Sequence, residues 1–360
     1  MRIAVIGARS ALAGKDGLQQ TLRELCPRLA LRGHEIDVFS EPNGRSFQPI
    51  DGARVIRLPS FGFGATRASG HALMSSLVSA TRGYDIVNFC SGEASGLFNL
   101  ASKLGLHRTV VSVHGLDRTE SGSALPLLGA EVSAARFADA ITVVSRGLER
   151  HFRDIYGRET IYIPNGITPR TQPINTALPS LLGLPPGGYV LMADRLVPGS
   201  GVLDAVMAAN VVPGGCHLVV AETGDADPAY RARVVRAADP GRVMLLGHLD
   251  ARSLDALMAH AYLFLVAAIA EHSTPTLLQA LGHGRAVMVS DAAEHVDILC
   301  GDGFTFTTGD ARDLLRVLTW LIHDRPVVTQ MEQRTARAVV SRYCWDRIVE
   351  SYEQVFMSVL

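Results

Sequence analysis

The sequence contains no hydrophobic run long enough to cross a membrane. Its longest uncharged apolar stretch, AYLFLVAAIA, occupies residues 261–270, whereas a spanning helix needs about 20 apolar residues. The apolar run in the N-terminal MRIAVIGARS is too short for a secretory signal peptide. We therefore expect a cytoplasmic protein without a transmembrane segment, and the sequence leaves only peripheral membrane contact open.

Cysteine pairs and strong charge are also missing. The five cysteines among 360 residues include no C-x-x-C pair, so neither a disulfide framework nor a zinc site is predicted. Residues 1–172 hold 20 Lys and Arg against 15 Asp and Glu, and residues 173–360 hold 14 against 20. This bias is too weak to indicate nucleic-acid binding. Hydrophobic residues make up 48% of the chain, as in a globular protein. Its 360 residues are enough for two domains.

The glycine-containing segment GARSALAGKDG, residues 7–17, matches neither common phosphate-binding motif. It lacks the G-x-G-x-x-G of dinucleotide-binding proteins, and it is too long for a P-loop, with Asp16 where Ser or Thr should stand. An NAD-dependent dehydrogenase is therefore disfavoured. Gly17, at the start of a helical pattern, could still allow a phosphate or a sugar to approach closely.

Short apolar, β-branched runs alternate with helical patterns in two series. The first series is RIAVIGA, EIDVFS, ARVIRLP, DIVNFC, RTVVSVHG, AITVVS and TIYIPNG, and the second is YVLMAD, HLVVAE, RVMLLGH, YLFLVA and AVMVSD. Continuous apolar strands that alternate with helices indicate parallel sheets covered on both faces. The sequence predicts an α/β chain of two doubly wound, Rossmann-like domains that face each other across a cleft and meet near residue 170.

Two helices show clear periodicity. The first carries Leu18, Leu22, Leu25 and Leu29 on one face, with Pro27 as a point where it could kink or shorten. The last stretch, WDRIVESYEQVF, is expected to be a docking helix, and its apolar residues at helical spacing are Trp345, Ile348, Tyr352 and Phe356.

In doubly wound sheets, ligands bind beyond the carboxyl ends of the strands. His114 ends the apolar strand of VSVHGLD, where a ligand contact and a buried core histidine are both open interpretations. Arg195 follows the strand YVLMAD and could hold a diphosphate with two hydrogen bonds, the alternative being an ordinary surface arginine. Asp225 and Asp227 have D-x-D spacing, but the following proline favours a helix cap over a metal site. We expect no metal.

The segment AEHSTPTLLQALGHG, residues 270–284, predicts a short helix with Thr274 as its N-cap and Pro275 in its first turn. Gly282 or Gly284 is expected to end it. An ordinary capped helix is one interpretation. The other is an anion site, because a helix N-terminus presents free N–H groups and a positive dipole.

Taken together, the motifs resemble those of the retaining GT-B glycosyltransferases of family 4, in particular a rhamnosyltransferase-like branch. The likeness covers nearly the whole chain in order: MRIAVIGARS, LRELCPRLALRGHEIDVFS, SVHGLD, ITVVSRGLERHF, YIPNGI, DRLVPGSG, EHSTPTLLQALGHGRAVMVSD, GDGFTF and YCWDRIVESYEQVF. It implies an acceptor domain at residues 1–170 and a nucleotide-sugar domain at 171–342. The helix at 343–360 then crosses back to the first domain.

The resemblance also implies roles for individual residues. His114, Glu271 and Arg195 are the expected catalytic residues, with Glu271 and His114 on the donor sugar and Arg195 on the diphosphate. The other residues expected at the donor nucleotide are Gly17, Ser200, Gly247, His248, Leu249, His272, Ser273, Thr274, Pro275 and Gln279. The implied reaction is metal-independent and retaining, with no cofactor beyond the nucleoside-diphosphate sugar as co-substrate.

The sequence departs from the family pattern at charged positions. Ser200 stands where the family has a lysine, and Gln279 replaces the second glutamate of the E-x7-E motif. In the first glycine loop of the family pattern, Gln19 stands in place of an acidic residue and Asp16 in place of the first glycine. The expected activity is sugar transfer to a small-molecule (specialised-metabolite) or saccharide acceptor. The alternative is a degenerate member of the family that acts as a binding or scaffold partner.

Overall fold

The computed structural model describes residues 1–7, 17–41, 50–60, 66–90, 107–115, 125–169, 177–214, 217–269 and 274–360. The chain divides into two compact domains. Residues 1–166 and 345–360 form the first, and residues 167–344 form the second. The sequence had placed these two boundaries at residues 170 and 342.

The first domain is built on a seven-stranded parallel sheet of order β3-β2-β1-β4-β5-β6-β7. Its strands are β1 (Arg2–Ile6), β2 (Glu35–Ser40), β3 (Ala53–Arg57), β4 (Ile86–Cys90), β5 (Arg108–Val113), β6 (Ala140–Val143) and β7 (Ile161–Tyr162). Its helices before the crossover are α1 (Gly17–Leu31), α2 (Thr66–Ala80), α3 (Leu125–Phe137) and α4 (Arg146–Tyr156). The strand order reverses beside β1, which is the doubly wound arrangement.

The second domain repeats the plan with a six-stranded parallel sheet of order β10-β9-β8-β11-β12-β13. Its strands are β8 (Tyr189–Asp194), β9 (His217–Glu222), β10 (Val243–His248), β11 (Leu263–Val266), β12 (Val287–Ser290) and β13 (Phe304–Phe306). Its helices are α5 (Ala177–Leu181), α6 (Val202–Val211), α7 (Pro228–Ala237), α8 (Ala251–His260), α9 (Thr274–Gly282), α10 (Ala293–Leu299), α11 (Ala311–His323) and α12 (Arg325–Tyr343). The prediction of two Rossmann-like domains is confirmed.

Strand β8 shows why these segments read as continuous apolar runs. Val190 and Met192 belong to one hydrophobic cluster, and Leu191 and Ala193 belong to the cluster on the other face. Successive side chains of a strand point to opposite faces, so a sheet covered on both sides buries every residue. The whole strand is accordingly buried.

The final helix, α13 (Trp345–Val359), packs in the first domain although the second domain precedes it in the chain. Its buried Trp345, Ile348, Tyr352 and Phe356 join the hydrophobic cluster that contains Leu22, Leu25 and Leu29 of α1. Gly166 makes room for this helix, because a Cβ there would lie 2.6 Å from Cε2 of the Trp345 indole. Helix α1 continues through Pro27 to Leu31, so the proline does not end it.

Within the described segments, every helix is too short or too polar to serve as a membrane span.

Candidate functional site

The carboxyl edge of the second sheet carries most of the described candidate residues. Arg195 directly follows β8, and its backbone N–H donates to Oδ1 of Asp194 over 2.7 Å. Its side chain runs over Gly224, where a Cβ would lie 3.3 Å from Cδ of Arg195. In the part of the chain that the structure describes, the Arg195 guanidinium makes no hydrogen bond or ion pair. A half-buried cation therefore stands at this edge with its donors available to a ligand.

The loop from 195 to 201 is fastened to the segment that follows β11. The Ile269 N–H donates to the carbonyl oxygen of Gly199 over 2.8 Å. Gly201 has φ of +71° and packs against the Ala267 peptide, since a Cβ there would lie 2.6 Å from the Ala267 carbonyl carbon. The loop after β8 and the residues that lead to position 270 are thus held in one arrangement. Glu271, His272 and Ser273 lie outside the described residues.

Ser200 is buried in the same loop and is engaged inside the protein. Its hydroxyl donates to the Tyr230 hydroxyl oxygen over 3.4 Å, and that oxygen also accepts the Leu203 N–H over 3.1 Å. The Val202 N–H donates to Oγ of Ser200 over 3.4 Å. Ser200 and Tyr230 together satisfy backbone donors at the N-terminus of α6. A contact of Ser200 with a donor nucleotide stays a prediction.

The end of β10 exposes backbone at the same edge. Gly247 has φ of +67°, and a Cβ there would meet no atom within 4 Å. The pairing of β10 with β9 shifts between Leu245 and His248, as expected where a glycine forms a bulge. His248 is exposed, whereas Leu249 packs against the hydrophobic cluster of one sheet face. The predicted backbone contacts of Gly247, His248 and Leu249 with a base remain predictions.

Helix α9 begins at Thr274, with exposed Pro275 in its first turn, and ends at Gly282. Gly282 allows close packing, because a Cβ there would lie 2.8 Å from Cγ2 of Ile167. On the half-buried face, Nε2 of Gln279 donates to Oδ1 of Asp255 on α8 over 2.7 Å. Gln279 therefore has a carboxylate partner 24 positions earlier in the chain, which its own motif does not reveal.

The D-x-D segment forms a helix cap, as predicted. Oδ1 of Asp227 accepts the Tyr230 N–H over 2.6 Å, and Pro228 occupies the first turn of α7. Among the described residues, no cluster of three or more His, Cys, Asp or Glu side chains could hold a metal ion.

In the first domain, His114 directly follows β5, and Gly17 is the first residue of α1. Desolvation lowers the pKa of His114 to about 4, so the imidazole is neutral near pH 7. A neutral imidazole has one N–H donor and one acceptor nitrogen. His114 can therefore hydrogen-bond a hydroxyl but cannot supply a positive charge.

The structure brings Arg195, Ser200, Gly247 and the start of α9 to one edge of the second sheet, since each lies at or just after the carboxyl end of a parallel strand. It adds features that motif reading missed. Asp194, Tyr230 and Asp255 have no motif of their own, and only contacts across the fold reveal them. The glycines of the run PGSG, residues 198–201, could have indicated the close packing of Gly201 against the Ala267 peptide.

Residues 15–171 match the sequence model of Glycosyltransferase Family 4. No curated protein matches the chain in sequence. Among solved structures, sucrose-phosphate synthase from Thermosynechococcus elongatus has 19% identity and a TM-score of 0.82, covering 100% of this chain and 99% of its own. HepE from Anabaena in complex with UDP-glucose has 19% identity and a TM-score of 0.79, over 99% of this chain and 100% of its own.

The catalytic domain of starch synthase IV from Arabidopsis thaliana, bound to ADP and acarbose, has 16% identity and a TM-score of 0.78, over 99% of both chains. These likenesses extend over both domains. The chain therefore has the GT-B fold, and its residues 15–171 match a glycosyltransferase family 4 domain.

Proposed function

We propose that the protein is a glycosyltransferase that moves a sugar from a nucleoside diphosphate to a small-molecule (specialised-metabolite) or saccharide acceptor. The observation that carries the proposal is the Arg195 guanidinium at the carboxyl edge of a GT-B nucleotide-fold domain, which makes no hydrogen bond or ion pair with any residue that the structure describes. The match to a glycosyltransferase family over residues 15–171 supports it. So do the similar folds bound to UDP-glucose and to ADP.

The proposed reaction retains the configuration of the anomeric carbon. The bond between that carbon and the diphosphate oxygen breaks, and the acceptor oxygen bonds the same carbon from the same face. The acceptor proton passes to an oxygen of the departing diphosphate. Negative charge grows on the diphosphate as it leaves, and a preorganised guanidinium at Arg195 stabilises that charge in the transition state.

We assign sugar recognition to His114 and Glu271. Neutral His114 can hydrogen-bond a sugar hydroxyl, and the Glu271 carboxylate can accept hydrogen bonds from others. With Arg195 and the N–H groups at the start of α9 near the diphosphate, the proposal needs no metal ion. The weakly basic first half of the chain and the lack of a basic amphipathic anchor favour a soluble acceptor.

Mass-spectrometric detection of glycosyl transfer tests the proposal. The purified protein is incubated with UDP-, ADP-, GDP- and dTDP-sugars and with phenolic and saccharide acceptors. Glu271→Ala should lower turnover by orders of magnitude, while Glu159→Ala, at a carboxylate that is 83% exposed, should have no effect. Transfer at an unchanged rate in Glu271→Ala would refute the assignment.

Two observations favour a second candidate, a nucleotide-sugar-binding protein without turnover. Ser200 is buried against Tyr230, and Gln279 is neutral, so two charged positions of the family pattern are absent. Both candidates require a site that binds the donor nucleotide. A thermal-shift measurement with nucleoside diphosphates detects such a site, because a ligand at 100 times its Kd adds about 2.7 kcal/mol of stability. A shift without turnover supports the binding protein, and no shift with any nucleoside diphosphate contradicts both candidates.

A further inference from the structure

The peptide group between Ala268 and Ile269, which we call the clamped peptide, is held at both of its polar ends. Its carbonyl oxygen accepts from Oγ of Ser290 over 2.6 Å, and its N–H donates to the carbonyl oxygen of Gly199 over 2.8 Å. The clamped peptide lies just beyond the paired residues of β11 and β12, so a side-chain hydroxyl takes over where the strand ladder ends. It therefore connects the end of β12 to the loop that follows β8.

His295 on α10 holds the Ser290 hydroxyl in turn. Nδ1 of His295 lies 3.0 Å from Oγ of Ser290, and both side chains are fully buried. The single hydroxyl proton of Ser290 goes to the carbonyl oxygen of Ala268, so Nδ1 must be the protonated nitrogen and the donor. Desolvation lowers the pKa of His295, so the other nitrogen, Nε2, carries no proton near pH 7. The hydrogen bonds thus run in one direction, from Nδ1–H through the hydroxyl to the clamped peptide.

Packing alone does not account for a histidine at position 295. Nε2 of His295 is buried and has no hydrogen-bond partner within the described part of the chain, and leaving such an atom unsatisfied costs free energy. An apolar residue would fill the same space without this cost. The contact that an apolar residue cannot replace is the donation from Nδ1 to Ser290.

The loop at the other end of the clamped peptide carries Arg195. Within this loop, the Ser200 N–H donates to the carbonyl oxygen of Val197 over 3.1 Å, and the Val197 N–H donates to that of Arg195 over 3.0 Å. Gly199, which accepts from the clamped peptide, lies inside these turns. A rotation of the clamped peptide would therefore disturb the backbone that supports the Arg195 guanidinium.

We propose that Ser290 and His295 are positioning residues that hold the loop of Arg195, through the clamped peptide, in the orientation that binds the diphosphate of the donor nucleotide. The inference rests on the proposed function. Ser290 fixes the rotation of the clamped peptide, and the N–H of that peptide fixes the loop at Gly199. Without the hydroxyl, the buried carbonyl oxygen of Ala268 loses this donor, and the peptide is free to rotate.

Nucleotide affinity tests this role, with UDP, ADP, GDP and dTDP as probes and the Kd from titration calorimetry as the readout. Ser290→Ala should weaken the best-binding nucleotide by about 2- to 12-fold, the range for one neutral hydrogen bond. Arg195→Ala removes charged hydrogen bonds and should weaken it by about 10- to 160-fold. Ser290→Ala added to Arg195→Ala should leave the Kd unchanged, because the side chain that Ser290 positions is gone. A merely structural effect would instead multiply with that of Arg195→Ala.

Thr335→Val is the matched control for loss of a buried hydroxyl. Thr335 is fully buried in α12 of the same domain, and its hydroxyl donates to the carbonyl oxygen of Asp302 over 3.0 Å. The variant loses the same kind of hydrogen bond outside the chain of contacts to the loop of Arg195. Its melting temperature should fall about as much as that of Ser290→Ala, while its Kd stays that of the unaltered protein.

Two replacements of His295 separate its hydrogen bond from its packing. His295→Leu removes the donor to Ser290 and should weaken the nucleotide as Ser290→Ala does. His295→Asn keeps an N–H donor on a short side chain and should bind the nucleotide more tightly than His295→Leu does. Equal Kd values for these two variants would contradict the role of the Nδ1 donor.

Hydrogen exchange at the Ile269 amide tests the clamp without a ligand. This N–H is bonded to Gly199, and local opening controls its exchange. Exchange should be faster in Ser290→Ala than in the unaltered protein and unchanged in Thr335→Val. An unchanged exchange rate in Ser290→Ala would overturn the inference, whether or not the protein binds a nucleotide.

The outcomes separate this inference from the proposed function. If the unaltered protein binds none of the four nucleoside diphosphates, the proposed function fails and the positioning role falls with it. If it binds one, a Kd that Ser290→Ala leaves unchanged, or that it alters equally with and without Arg195, overturns the inference alone. Faster exchange at Ile269, together with a loss of affinity that disappears in the Arg195→Ala protein, supports it.

Discussion

The replacement Gly201→Ala should destabilise the second domain more than a neighbouring glycine replacement does. Gly201 has φ of +71°, and an added Cβ would lie 2.6 Å from the carbonyl carbon of Ala267. The left-handed backbone costs an L-residue about 1–2 kcal/mol. Forcing a methyl group against packed backbone adds about 1–3 kcal/mol. The total expected loss in the free energy of unfolding is therefore about 2–5 kcal/mol.

Gly199→Ala is the control for backbone strain without a clash. Gly199 has φ of +88°, but a Cβ there would meet no atom within 4 Å, so only the first cost applies. In a domain of 150–250 residues, 1 kcal/mol shifts the melting temperature by roughly 2–4 °C. Gly201→Ala should therefore melt roughly 2–12 °C below Gly199→Ala. Thermal denaturation followed by circular dichroism measures both variants, and coincident melting curves would refute the close approach to Ala267.

Two further predictions concern pH. The unfolded His114 side chain, with an ordinary pKa near 6.5, binds a proton that the folded one, with a pKa of about 4, does not, so stability should fall as the pH decreases between these values. Urea denaturation of His114→Asn should show a shallower loss of stability, and identical pH profiles would contradict the lowered pKa of His114. The hydrogen bonds from Arg32 and His34 lower the pKa of Glu353 in the folded protein. Glu353 therefore stabilises the fold fully above its pKa in the unfolded chain, and this stabilisation is lost as the pH falls through its pKa in the folded protein. Glu353→Gln should therefore cost about 0.2–1 kcal/mol near pH 7 through the lost ion pair with Arg32, and a deficit that persists in strong acid would argue against this origin.

The fold was largely predictable because a parallel sheet covered on both faces requires continuous apolar strands. β8 is an example, since its alternate side chains enter two different clusters. β13 was missed as a strand, because its three residues, FTF, are too few to give a pattern. Pro27 was expected to kink or shorten α1, and the helix continues past it to Leu31. A residue-level rule for proline could not weigh the buried contacts of Leu22, Leu25 and Leu29 that hold the helix together.

Within the candidate site, the sequence predicted the positions of residues that directly follow a strand, but not the contacts between residues that are distant in the chain. Arg195 follows an apolar strand, and that position alone places it at the carboxyl edge. Ser200 and Gln279 were identified, but their partners were not. Tyr230 and Asp255 lie 30 and 24 positions away, and nothing in the local sequence encodes such contacts. The structure thus shows that both residues that depart from the family pattern are hydrogen-bonded inside the protein, Ser200 to Tyr230 and Gln279 to Asp255.

The most direct test of the account is a crystal structure of the protein soaked with the nucleoside diphosphate that it binds best. The account predicts density for the diphosphate within hydrogen-bonding distance of the Arg195 guanidinium and beside the first turn of α9. A nucleotide bound elsewhere, with Arg195 facing bulk solvent, would contradict the proposed donor site.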